Sequence, residues 1–74
     1  MTLTEWIDKR IAKFACTRHV MHQNMCDQLA KAGTPISLNT IAAVDRGMKL
    51  SMYDKAKALS DLTGGAVSVA ELCE

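Results

Sequence analysis

Aromatic side chains are scarce in this chain: one Phe, one Trp and one Tyr among 74 residues. A core built on stacked rings is therefore excluded, and Leu, Ile, Val, Ala and Met must fill the interior. There is one proline and only four glycines, so no Pro-rich or Gly-rich linker divides the sequence, and no repeat or low-complexity segment is visible. The cysteines stand at 16, 26 and 73. An odd number at wide spacing excludes a disulfide framework and points to a reducing compartment. No apolar run approaches the roughly 18 residues that a membrane span needs, and no signal peptide is apparent, so the chain reads as cytosolic. Neither sign of charge dominates, with nine Lys and Arg against eight Asp and Glu, a formal net charge of +1. Dedicated nucleic-acid binders are usually more basic, because phosphate neutralisation supplies most non-specific affinity. For such a partner the distribution of charge would matter more than its sum. No stretch alternates apolar and polar residues for long enough to predict a sheet.

What is present is helical periodicity. Thr2-Leu3-Thr4-Glu5 is a capping box, followed by Leu3, Trp6 or Ile7, Ile11 and Phe14 at helical spacing. This predicts a first helix over 3–15, with Trp6 anchoring the core and Lys9, Arg10 and Lys13 toward solvent. Residues 26–32 read as a second helix, ended by Gly33-Thr34-Pro35. Its start is open: Thr17 can cap a helix through Val20 or Met21, Met25 and Leu29, or the first helix can continue and break later. Ser37 reads as the N-cap of a third helix over 38–46 that Gly47 stops. Ser51-x-x-Asp54 resembles a capping box for a fourth helix, with Met52 or Tyr53, Ala56, Leu59 and Leu62 as its apolar stripe. Gly64-Gly65 end it, and Ser68-x-x-Glu71 opens a last turn through Leu72.

At 74 residues the chain makes one domain, a size that buries only about 60% of its unfolded surface. The 49% apolar share suffices for one core. Five methionines suggest an adaptable core or a dimer surface. Val67, Leu72 and Cys73 are expected to pack on helices 1 and 4 of the same chain, with a dimer contact as the alternative.

Two short helices joined by a tight turn, the second with one buried and one free face, are how a helix-turn-helix offers side chains to the major groove. In the third helix Ile41 and Val44, three apart, share the inward face. The run Ser37-x-x-Thr40-Ile41-x-x-Val44-Asp45-x-Gly47 resembles the recognition helix of small Cro-like regulators of bacteria and phages. Lys55-Ala56-Lys57-Ala58-Leu59-x-x-Leu62-Thr63-Gly64-Gly65-x-Val67-Ser68-x-x-Glu71-Leu72 is similar to the way many of these domains close. Together the two cover residues 26–73. The span from Trp6 to Leu29-Ala30 is about ten residues longer than is usual there, and the turn is one residue longer.

The resemblance implies an all-α, lambda-repressor-like domain of four to five short helices, with the helix-turn-helix at about 26–46. It implies a sequence-specific transcriptional regulator, a Cro-like repressor on a pseudo-palindromic DNA operator, acting as a homodimer at least when bound. Transferred by position, Leu38, Asn39, Ala42 and Ala43 face the base edges, and Ser37 and Thr40 join Arg46 and Lys49 at the backbone. Asn39 suits bidentate pairing with adenine, and Leu38, Ala42 or Ala43 suit thymine methyls. Arg46 and Lys49 flank the helix within reach of phosphates, which set register without reading sequence. Lys55 and Lys57 are weaker candidates. A protein-interaction module on the same scaffold is the rival reading, and an antitoxin or excision factor a third.

Cys16, His19, His22 and Cys26 invite a metal reading. On one straight helix, however, Cys16 and Cys26 lie about 15 Å apart at 1.5 Å per residue, and zinc bonds are only about 2.0–2.3 Å. The competing expectation has buried cysteines acting as small apolar groups and both histidines at the surface. No carboxylate is placed to orient a Cys–His nucleophile pair, so no enzyme, cofactor or metal is expected.

Overall fold

Four of the five helices in the computed structural model, which describes residues 1–74, begin at a side-chain cap. Helix α1 spans Leu3–Phe14, with Thr2 and Glu5 closing a full capping box. The hydrogen bonds from Thr2 hold the Glu5 carboxyl below its ordinary value. Helix α2 spans Arg18–Lys31, capped by the Thr17 hydroxyl, which accepts from the Val20 N–H. Helix α3 spans Leu38–Asp45 behind Ser37, and α5 is a single turn, Val69–Leu72, behind Ser68. The exception is α4, Tyr53–Leu62, whose N-cap Met52 offers no side-chain acceptor. There is no strand; one isolated parallel bridge pairs Leu50 with Cys73.

Helix α2 settles what the sequence leaves open: α1 stops at Phe14, and the second helix starts at Arg18 rather than Cys26. Ala15 turns the chain in the left-handed region, φ 52° and ψ 41°. This is a conformation that costs an L-residue roughly 1–2 kcal/mol. Elsewhere glycine serves this purpose. After α2, Gly33 (φ 89°) donates to the Ala30 carbonyl and Thr34 to that of Leu29. After α3, Gly47 (φ 110°) donates to Val44 and Met48 to Ala43. Both are Schellman closures, which satisfy the last free carbonyls of the helix.

The core gathers Leu3, Trp6 and Ile7 of α1, Met21, Met25 and Leu29 of α2, Ile41 and Val44 of α3, and Ala56 and Leu59 of α4. Ile36 and Leu50 enter it from the two connections that flank α3. Val67 and Leu72 are buried within the monomer, and α5 packs on α4. The Ser60 hydroxyl donates to the Val67 carbonyl and the Thr63 hydroxyl accepts from the Val67 N–H, which seats Val67. No helix is long and apolar enough to cross a membrane.

Three expectations need correction. Phe14, the last residue of α1, is 56% exposed and lies outside the core, at the edge of a groove shared with α2. Met52 and Tyr53 are exposed too, so the stripe of α4 is Ala56, Leu59 and half-buried Leu62. Ser51 does not cap α4. The backbone of Leu50 is held by Leu72 and Glu74, and the helix starts two residues beyond Ser51.

Two outcomes are expected. Ile41→Asp buries an unpaired charge at a fully enclosed site, which leaves the chain unfolded; an unchanged thermal melt would reverse the assigned faces of α3. Ala15→Gly relieves the left-handed strain and raises stability by about 1 kcal/mol, read as a rise in the urea midpoint at constant slope.

Candidate nucleic-acid interface

The third helix is held on its inner side by two kinds of contact. Ile41 and Val44 supply the apolar part, as their spacing predicts. The other part is polar. Asp45 lies four residues after Ile41, on the same inward face, and is 5% exposed. An isolated buried carboxylate is strongly disfavoured. Here its Oδ2 meets His22 Nε2 at 2.7 Å and Arg18 Nε at 3.2 Å. Arg18 and His22, four apart on α2, share the face that meets α3. The Arg18 guanidinium continues to Asp8 on α1, with Nη1 at 2.9 Å from Oδ1. The Thr4 hydroxyl of α1 donates to the Asp45 backbone carbonyl. Three helices are thus joined through the last residue of α3. Asp45 Oδ1 is the one buried oxygen of this group left without a partner.

The sequence reading missed this cluster. It placed both histidines at the surface; His19 is exposed, but His22 is buried against Asp45. The signal was available, since a carboxylate at the i+4 position from a buried isoleucine requires a partner. No three His, Cys, Asp or Glu side chains come close enough together to hold a metal ion. Cys16 and Cys26 are half-buried against the core. Burial, together with the neighbouring Asp27 charge, pushes the Cys26 thiol above its ordinary value.

The outer side of α3 is only partly covered by the monomer. Asn39 and Arg46 are exposed; Leu38, Ala42 and Ala43 are half-buried beside them. The Ser37 hydroxyl accepts from the Thr40 N–H and lies 2.7 Å from the Thr40 hydroxyl. These two side chains therefore bind each other before they meet any partner. Lys49 is exposed, and its Nζ lies 3.4 Å from the Ala70 carbonyl. Arg46 and Lys49 border one depression of about 260 Å³ together with Glu71. A second, on the other side of Lys49, includes Thr40, Lys55 and Glu74. Acidic and basic groups therefore interleave around the end of α3. Lys57 faces elsewhere, beside Asp61 at 3.7 Å.

Comparison with protein-family models, with curated proteins and with solved structures returns no match to this chain.

Asp45→Ala removes the acceptor shared by His22 and Arg18. It is expected to cost about 1–3 kcal/mol, the penalty for leaving buried donors unmet, toward the lower end because Arg18 is about one-third exposed. Urea denaturation measures the loss. Asp45→Asn, which keeps the shape and one acceptor oxygen, should lie between the two.

Proposed function

We propose that this chain is a small sequence-specific DNA-binding regulator of the Cro-like kind. It is cytoplasmic and enters the major groove with α3. Two copies bind a pseudo-palindromic operator and act by excluding polymerase or a rival regulator. The observation that carries this reading is the mounting of α3. Its inner face is fixed at Ile41, Val44 and Asp45, while Asn39 is exposed between Leu38 and the small pair Ala42 and Ala43. Small side chains let the helix approach base edges closely, and Asn39 is the one amide among them for adenine. Arg46 and Lys49, one helix end away, suit phosphates, with the Ser37–Thr40 hydroxyl pair at the other end. Two such helices in a two-fold pair would enter successive major grooves about 34 Å apart. Pairing compensates for the few contacts that an eight-residue helix can make.

A second reading is favoured by a specific observation. Leu38, Ala42 and Ala43 make a largely apolar ridge, and Glu71 stands beside Arg46 and Lys49. A protein partner could bind that ridge, and an antitoxin built on the same scaffold would combine both uses. Salt dependence separates the readings. DNA binding weakens steeply as salt rises, because phosphate contacts release counterions. A complex that ignores salt and depends on Leu38 belongs to a protein partner.

The deciding experiment is selection of binding sites from random duplexes at two salt concentrations. The expected product is a pseudo-palindrome with half-sites one helical turn apart. Asn39→Ala should then cost about 1–3 kcal/mol at that site and relax the preference at one base position. An equal loss on every duplex would refute base reading by Asn39.

A further inference from the structure

Two arginines of this chain are half-buried, and they are treated differently. Arg18 is paired with Asp8 and Asp45. Arg10, on α1, forms no ion pair and no side-chain hydrogen bond, and its Nε is buried without an acceptor. Its guanidinium is nevertheless held in place. It lies 4.9 Å from the centre of the Trp6 ring and 5.2 Å from that of Phe14, one helical turn to either side. Cation–π contact fixes the plane of the group but uses none of its five N–H donors.

Arg10 borders a groove of about 400 Å³ between α1 and α2, within the range of small-ligand sites. Met21, Met25 and Leu62 form its apolar walls, and the amides of Asn24 and Gln28 lie along one side. No carboxylate borders it, and no residue of α3 does. Lys13 does not line the groove, but its Nζ lies 5.4 Å from the ring of Phe14, which does. The groove therefore combines apolar walls with one cationic side chain whose donors are unused. A carboxylate matches that fork bidentately, and an alkyl or aryl chain attached to it matches the methionine walls.

We infer that this groove binds a small apolar carboxylate, its acid on Arg10 and its chain along Met21, Met25 and Leu62. The site is separate from α3, so it stands whether or not the chain binds DNA.

Trp6 is the only tryptophan, and its fluorescence reports directly on the groove. The test is a titration of the intact protein with decanoate, 1-decanol and decylammonium, each below its micelle concentration. Fluorescence is read alongside backbone amide shifts in NMR. Decanoate is expected to bind saturably, with shifts centred on Arg10, Met21 and Leu62. Decanol should bind at least about tenfold more weakly, the difference that a charge-assisted bidentate pair makes, and decylammonium more weakly still. Arg10→Met should abolish the preference for decanoate over decanol. Arg10→Lys keeps the charge and the fold while losing the fork, and should keep only part of that preference. Equal binding of decanoate and decanol, an undiminished preference in Arg10→Met, or a groove found closed by a second copy in sedimentation would each overturn the inference.

Discussion

The carboxylate of Asp45 is the constraint around which the rest of this fold is arranged. Hydrophobic burial is non-directional, and the part of the core contributed by α2 is rich in methionine, at Met21 and Met25. Methionine fills space well but specifies one arrangement poorly. A buried charge has the opposite character. It tolerates only arrangements in which its partners reach it. His22 and Arg18 on α2, Asp8 and Thr4 on α1, and Asp45 on α3 meet in a single geometry. In this register of the three helices all of these contacts are made together. The apolar residues make the chain collapse, and the polar cluster decides how α3 is rotated and how far it slides. That rotation determines which residues of α3 point outward.

Much of the local structure was legible because helix boundaries are short-range chemistry. Thr2 with Glu5, Thr17, Ser37 and Ser68 each accept from a backbone N–H three residues on. Gly33 and Gly47 close the helices that the breakers promised. Some of the failures come from contacts distant along the chain, others from local backbone and side-chain geometry. Ser51 is a sound cap by composition, yet Leu50 is paired with residues more than twenty positions away, and α4 begins only after that pairing ends. The break between α1 and α2 falls at an alanine in a glycine conformation, which propensity alone would not select. Arg10 is expected toward solvent with Lys9 and Lys13, yet its neighbours one turn away on the same helix, Trp6 and Phe14, draw it half inside, a contact that the i, i+4 spacing itself offers.

The candidate interface divides in the same way. Ile41 and Val44 were placed correctly by a three-residue step, and that fixed the outer face containing Asn39. The electrostatic surroundings were not legible, because they depend on which loop lies beside which helix. Acidic and basic groups are not segregated around the end of α3, where Glu71 and Glu74 stand close to Arg46, Lys49 and Lys55. Such interleaving weakens the long-range field and shifts discrimination toward short-range fit.

The pairing of Leu50 with the chain's last residues bears on more than helix boundaries. Its N–H donates to the Leu72 carbonyl at 2.7 Å, and its carbonyl accepts from the Glu74 N–H at 2.9 Å. The short connection that carries Lys49 is thus clamped on both sides in the free protein. A clamped segment has little freedom left to surrender on association, so the ordering penalty at this end of α3 is already met by folding. Any partner that docks there would meet a preshaped rim.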